Sequence, residues 1–492
     1  MARALLSRRP PRMDTGIIGP VTVMSDYLSE FGPISSTVHG LIVSSILIPA
    51  AVSSFFAGKV ADLLGRPKGI SLGVFIFAVG AALEAGAVDL AMFIVGRVVE
   101  GLGEGLYLGN LVVYICEISP PSKRGPLTSC PQLFITFGLL VGYFICYGTS
   151  SMGSSMSWRL PFMILASLAF AFSVAALRLT PSPRWLTLHG RTAEAAAAWD
   201  ILGVSHAERE KVEIQEHIRE ITDYQALSSA EMTTLPNADG NGTAARQRKM
   251  AKSTFKELFS PEVRARTFLA AFMMAMQQLS GIDGVLYYAP LLFQQAGLAS
   301  SEASFLASGV SAIVIFSVTI PALIWADRWG RRHSTIYGGI GITILMFLIG
   351  GLYAGDAVHS NTGAGRWIVI VSIYLFAMTY SLSWAVGIKV YAAEIQPQRT
   401  RAAATSLAHG SNWSANFLVG LTTPILLAKT SFGAYFLFGG CSLVTVAVCA
   451  MSMPETRGRS LEEIEEAFKR TSVSKRLARA LNRAVGRRTV ET

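Results

Sequence analysis

Gly58-Lys-Val-Ala-Asp62-Leu-Leu-Gly65-Arg66 in the first half of the chain and Asp327-Arg-Trp-Gly330-Arg331-Arg332 in the second carry one signal written twice. An acid, two variable residues, a glycine and an arginine follow an apolar stretch. A second pair repeats in the same order: Glu117-Ile-Ser-Pro-Pro-Ser-Lys-Arg124 and Glu394-Ile-Gln-Pro-Gln-Arg-Thr-Arg401, each a glutamate with an arginine seven positions on. Parallel repeats of this kind predict two similar helical bundles with a site at their interface, an architecture of membrane carriers.

The residues around the repeats agree. Of 492 residues, 51% are hydrophobic and 15% charged, whereas soluble domains carry about a quarter charged residues. The apolar residues fall into blocks of about 20, the length a helix needs to cross a bilayer. They lie near 38–57, 69–88, 91–115, 129–148, 160–178, 267–289, 303–326, 334–354, 367–388, 402–428 and 432–452. Small residues within them let neighbouring helices approach closely. The expected fold is an all-α integral membrane protein of two six-helix bundles, about eleven full transmembrane helices plus a shortened first one.

Four regions follow. Residues 1–179 form the first bundle with its first helix incomplete, and 180–266 a cytoplasmic loop. Residues 267–453 form the second bundle, and 454–492 a basic tail. The loop reads as helical from Thr192 to Gln225 and as a flexible linker from Ser228 to Arg248.

The formal charge of +10 resolves into topology. One set of loops holds Lys59, Arg66, Lys68, Lys123, Arg124, Arg328, Arg331, Arg332, Arg399 and Arg401; the other holds Arg159, Arg366 and Lys429. The rich set belongs on the cytoplasmic side, with the loop and the C-terminus, and the plasma membrane is the expected location. Basic residues between apolar blocks, rather than along one face, argue against a nucleic-acid partner. Five cysteines at scattered positions make neither a disulfide framework nor a zinc site. No nucleophile–base pair or metal cluster stands out among the spans, so an enzyme is not expected.

Charges inside a bilayer are expensive and usually functional. Arg97, Glu100 and Glu104 recur at spacings of three and four, so all three face one way on a helix. Glu84 in the preceding span is a further acid. The glycines Gly101, Gly103 and Gly105 follow no strand and are not a nucleotide loop; Gly101, Gly105 and Gly109, four residues apart, read as a helix-packing face. At the loop ends, Asp62, Arg66, Glu117, Arg124, Asp327, Arg331, Glu394 and Arg401 can pair across the two halves and lock one side shut. The alternative is charge that merely sets orientation.

Together the motifs resemble the sugar porter family of the major facilitator superfamily, over nearly the whole chain. The resemblance rests on Gly58–Arg66; on Gly96-Arg97, Gly101-Leu-Gly103 and Tyr114-Ile-Cys-Glu117 with Arg124-Gly125; and on Ser182-Pro-Arg-Trp-Leu186. It rests also on Gln277-Gln278-Leu-Ser280-Gly281 with Tyr287-Tyr288, on Asp327–Arg332, and on Pro454-Glu-Thr-Arg-Gly458. It implies a secondary carrier of a sugar or sugar-like solute working by alternating access, with no cofactor beyond a proton gradient. A facilitative or exporting carrier of a polyol or carboxylated solute, and a sugar sensor, are the alternatives.

The resemblance also implies roles. Arg97 stands where proton-coupled members keep an arginine facing an aspartate of the first helix, here Asp14; a static ion pair is the other reading. Glu100 and Glu104 depart from the small or apolar residues usual there, and serve either as a proton relay or to balance Arg97. Gln132, Gln277, Gln278, Asn412 and Trp413 match the polar pocket, where amides suit sugar hydroxyls. Asp283 replaces an asparagine, Ile315 falls where some members have another, and Lys389 replaces a pocket tryptophan. A cation holds a carboxylate but does not stack on a sugar as tryptophan does. The expected solute is therefore sugar-like or polyol-like, with an acidic group if Lys389 touches it; pairing with Asp283 or snorkelling are the other fates of Lys389.

The start of the chain fits this pattern poorly. Met1–Arg12 holds four arginines and two prolines and cannot sit in hydrocarbon. Met13 to Tyr27 leaves roughly 22 Å of helix against a core of ~30 Å. The expectation is a truncated or misassigned start of a twelve-helix carrier. If the short helix is genuine instead, Asp14 is expected at the cytoplasmic surface, where coupling through it would fail.

Overall fold

The structure, a computed structural model, describes residues 13–118, 124–203, 258–260, 263–298, 301–358, 363–396 and 400–457. The first twelve residues, the linker from Ser228 to Arg248 and the tail beyond Arg457 therefore lie outside the described residues. So do the side chains of Arg124, Asp327 and Arg401.

Every regular element among the described residues is a helix. The first half contains α1 (Asp14–Val21), α2 (Ser25–Phe31), α3 (Ser36–Ser44), α4 (Leu47–Leu64), α5 (Arg66–Ala85), α6 (Leu90–Ile118), α7 (Arg124–Thr149) and α8 (Met156–Ala176). Two short helices follow, α9 (Pro183–Leu188) and α10 (Thr192–Leu202). The second half contains α11 (Arg264–Gln278), α12 (Ile282–Tyr287), α13 (Ala289–Gln295), α14 (Ser301–Trp329) and α15 (Arg331–Ala354). It closes with α16 (Gly365–Leu382), α17 (Trp384–Glu394), α18 (Arg401–Lys429) and α19 (Gly433–Ser452). Each half has its own apolar core, one around Trp158, Phe93 and Phe162, the other around Trp384, Phe293 and Phe376.

Among the described residues, ten helical stretches are long and apolar enough to span a membrane. The span expected at 402–428 is not among them. α18 is helical for 29 residues, about 43 Å, yet its serines, threonines, asparagines and histidine dilute its apolar character. Its polarity reflects its position: α18 lies against α3 and α4 of the other half and against α11 of its own. α7 and α14 form another pairing between the halves.

Several spans are broken where the sequence reading drew them continuous. The span expected at 267–289 is three helices. The first break falls at Gly281, whose φ of +87° suits glycine; a β-carbon there would strike the Phe438 ring. The span expected at 367–388 divides at Ser383. Discontinuous helices leave backbone groups free in the interior, and carriers place binding sites beside them.

The first helix is short, as read, but its placement differs from the surface alternative. Ile17, Ile18 and Val21 are fully buried, and Asp14 is only 8% exposed. The helix ends where Thr22 turns its hydroxyl onto the carbonyls of Ile18 and Gly19, 3.0 Å from each. The glycine run of α6 packs helices, as expected: Gly101 and Gly105 lie against the backbones of Ile46 and Ala50, where a side chain has no room.

The two halves also meet at the end away from the charged motifs. Tyr143 donates to the carbonyl of Leu286 at 2.7 Å. His39 stands edge-on to Tyr288 with ring centres 5.1 Å apart.

Candidate transport site

Arg97 is the centre of the first half. Its side chain is 1% exposed, and Nη1 lies 2.5 Å from Asp14 Oδ1, 3.3 Å from Glu100 Oε2 and 4.0 Å from Glu84 Oε2. Nη2 donates to the carbonyl of Val43 at 3.1 Å. The Asp14–Arg97 geometry implied by the motifs is present, and four helices (α1, α3, α5 and α6) hold the guanidinium. Glu100 bonds Arg97 directly and so helps to balance it. Glu104, one turn on and also buried, acts with Asp14 and Asp283 on the Tyr287 hydroxyl, which comes from the other half.

A second polar centre lies beside the break in the second half. Gln277 donates to the carbonyl of Trp384 at 2.7 Å and accepts from Asn412 Nδ2 at 3.2 Å. Gln278 Nε2 donates to Asn412 Oδ1 at 3.2 Å, and Asn412 also reaches the carbonyl of Met274 at 2.8 Å. Three of the amides named from the sequence are thus one network joining α11, α17 and α18. Buried Gln278 keeps its Oε1 without a hydrogen bond. Trp413, which follows Asn412 in α18, is half-buried.

Two further side chains complete the lining. Lys389 Nζ donates to Gln132 Oε1 at 3.1 Å, so α17 of one half touches α7 of the other through a cation and an amide. Asp283, partly exposed on α12, acts electrostatically on Tyr287 and Tyr380, and Tyr380 also reaches Gln277. Tyr380 was not legible as a site residue, because nothing separates it from the other aromatics of an apolar span. Ile315 is buried at 3% exposure and supplies no amide.

The loop-end charges differ from expectation in their partners. Arg66 is gripped by Glu117 through Nε and Nη2, at 3.0 to 3.2 Å, and by Asp62 at 2.7 Å. Arg331 pairs with Glu394 at 3.1 Å. These described pairs close within each half, not across the halves. Each arginine begins the helix that follows its glycine, so its side chain folds back along its own bundle. Each corner is also covered: Trp185 Nε1 bonds the carbonyl of Asp62 at 3.0 Å, while Glu455 accepts the N–H groups of Arg331 at 2.9 Å and Arg332 at 3.1 Å. Burial raises the Glu455 pKa, but N–H groups from Arg457, Arg331, Arg332 and Thr456 outweigh it and hold the carboxyl below its ordinary range.

Two repeated bundles with broken helices, a buried acid–arginine pair in the first and a buried amide network in the second define a secondary transporter of the major facilitator type. The family model for "Sugar (and other) transporter" matches residues 12–468, and the chain belongs to that family. A galactose transporter of Saccharomyces cerevisiae is 31% identical over 478 residues, 92% of this chain and 78% of the relative. A low-affinity glucose transporter of Kluyveromyces lactis is 30% identical over 475 residues, with 92% and 79% covered. Among solved structures, the inward-open xylose transporter XylE from E. coli superposes with a TM-score of 0.71 at 21% identity. It covers 93% of this chain and 96% of that one.

Proposed function

We propose that the protein carries a sugar or sugar-like solute across the membrane by alternating access, driven by protons moving the same way. The observation that carries the coupling is the Asp14–Arg97 contact of 2.5 Å in a side-chain environment 11% and 1% exposed. An ionised aspartate holds the guanidinium; a proton on Asp14 cancels that attraction, and Arg97 is released to its remaining acids. Because α1 carries Asp14 and also lies against α12 of the other half, the change reaches the interface about which the halves rock. The C-terminus then faces the cytoplasm, and the plasma membrane is the proposed location.

The substrate lies at the Gln277–Gln278–Asn412 network, whose amides both donate and accept as hydroxyls require. Lys389 favours a second reading within this class, a sugar or polyol bearing a carboxylate. Its ammonium reaches Gln132 across the halves and would form a charge-assisted bond with an acid on the solute. Labelled-solute uptake into vesicles, with and without an inward pH gradient, tests both ideas with neutral sugars, polyols and sugar acids. Accumulation that ignores the gradient for every solute removes the symport reading. Selectivity unchanged in Lys389→Ala removes the direct contact.

A further inference from the structure

Three carboxylates surround one guanidinium in the first half. With Asp14, Glu84 and Glu100 all ionised against Arg97, two negative charges would stand uncompensated in a dry interior, which is strongly disfavoured. One oxygen from each acid lies within 4.8 Å of the others, a spacing that would suit a metal ion. The centre is already taken, because Arg97 Nη1 lies 2.5, 3.3 and 4.0 Å from those acids. The missing positive charge is therefore a proton.

The backbone shows where it sits. Gly80 on α5 lies against the backbone of Glu100, and Gly96 on α6 lies against Glu84, where a β-carbon would be 2.7 Å from Cγ. Each glycine precedes its own helix's glutamate by four residues, so the two helices bring Glu84 and Glu100 face to face. Both acids are fully buried, and one oxygen of each lies within 4.8 Å of the other. Two ionised carboxylates only accept and repel one another at that separation in a dry interior, whereas one proton between them removes a charge and supplies a donor. Both oxygens of Glu84, one of Glu100 and the buried Tyr27 hydroxyl have no hydrogen-bond partner, so those carboxylate oxygens are satisfied by nothing but a shared proton.

We propose that Glu84 and Glu100 share one proton, forming a proton-binding site of single negative charge that serves as the alternative counter-ion of Arg97. The idea rests on Asp14 being the coupling acid. In the resting state the cluster carries one negative charge: Asp14 and the pair each contribute minus one, and Arg97 plus one. The transported proton bonds to an Asp14 oxygen, the Nη1 contact to Asp14 weakens, and Arg97 leans onto Glu100. The pair's own proton stays, and the cluster becomes neutral. The groups facing it are Asp14 from α1, Tyr27 from α2 and Arg97 from α6, with Tyr287 and Tyr288 of the other half acting on Asp14 and Arg97. Without the pair, releasing Asp14 would strand a buried cation, so gradient-driven uptake would need a more acidic medium.

The test is the external pH giving half-maximal gradient-driven uptake in proteoliposomes. Either Glu84→Gln or Glu100→Gln keeps one charge and holds that midpoint within about half a pH unit, whatever it does to the rate. The double substitution moves it to acid by about one to three units. A wild-type midpoint in the double variant, or a single substitution giving half the double's shift, overturns the proposal. Asp14→Asn separates the two levels: retained gradient-driven uptake there sinks the coupling reading itself, irrespective of the glutamates. Should the double variant fail to exchange solute at all, infrared spectroscopy decides. The wild type is expected to show a protonated-carboxyl band at neutral pH that disappears in either single variant; no band, or a band that persists, overturns the shared proton.

Discussion

Arg97 and Arg66 are both arginines held by acids from more than one helix, and they behave differently because of where water reaches. Arg97 lies among acids 0% to 11% exposed. Arg66 is 11% exposed, but its partner Asp62 is 67% exposed. Water solvates whatever the second cluster leaves unpaired, so gaining or losing one partner there changes little. In the first cluster each proton or charge must be matched by protein, so a proton on one acid re-sorts all the others. On the proposed mechanism the same chemistry is a coupling device in one place and an anchor in the other.

Asp14→Asn should give the largest effect. It removes the charge whose titration releases Arg97, and gradient-driven accumulation is expected to fall about tenfold or more while equilibrium exchange of solute survives. Arg97→Lys should come close to it, because an ammonium cannot reach Asp14, Glu100 and the Val43 carbonyl together as the planar fork does. Initial uptake rates with and without the gradient read both.

Lys389→Ala comes next and concerns selectivity. For a carboxylated solute the lost charge-assisted bond is expected to cost about 1.5 to 3 kcal/mol, roughly tenfold to a hundredfold in affinity. Neutral sugars should lose much less. Competition by sugar acids against labelled neutral sugar measures the ratio.

At the wetter cluster, Asp62→Ala should change uptake only a few-fold, since its pair with Arg66 is exposed at the acid and worth about 1 kcal/mol or less. An effect as large as that of Asp14→Asn would erase the distinction drawn between the two arginines.

Glu455→Gln should be the mildest. Its carboxylate sits at the start of α15, where negative charge is favoured, and its folded pKa is depressed. Its contribution to stability is therefore present above the ordinary glutamate range and lost as the pH falls through the lower folded value. Thermal unfolding in detergent should show the variant less stable at neutral pH, with the gap closing in acid.

Most of the fold was legible because bilayer-spanning blocks and repeated loop motifs are local signals. The short first helix was legible too, but its depth was not: burial of Asp14 depends on Arg97, 83 positions away. The helix breaks at Gly281 and Ser383 were missed, since hydropathy averages across a residue whose backbone turns for tertiary reasons. In the site, Asp14–Arg97 and the Gln277–Gln278–Asn412 set came from motif positions, and the structure joins each set. Glu84 was visible only as one more acid in an apolar span. Its meaning lies in Gly80 and Gly96, whose facing positions no single helix reveals. The loop-end charges were read as able to pair across the halves in one conformation; here the described arginines, Arg66 and Arg331, pair within their own half, because sequence shows that opposite charges recur but not which bundle a side chain folds back upon.

Proton coupling can be read without any imposed gradient, by adding solute to a weakly buffered suspension of proteoliposomes and following external pH. Linkage is reciprocal, so a solute that protons help inward must itself draw protons inward. The wild-type protein is expected to make the medium transiently alkaline on adding a transported sugar or sugar acid, and Asp14→Asn to leave it unchanged. Solute entry by the wild type with no proton movement would contradict coupling through Asp14 and Arg97.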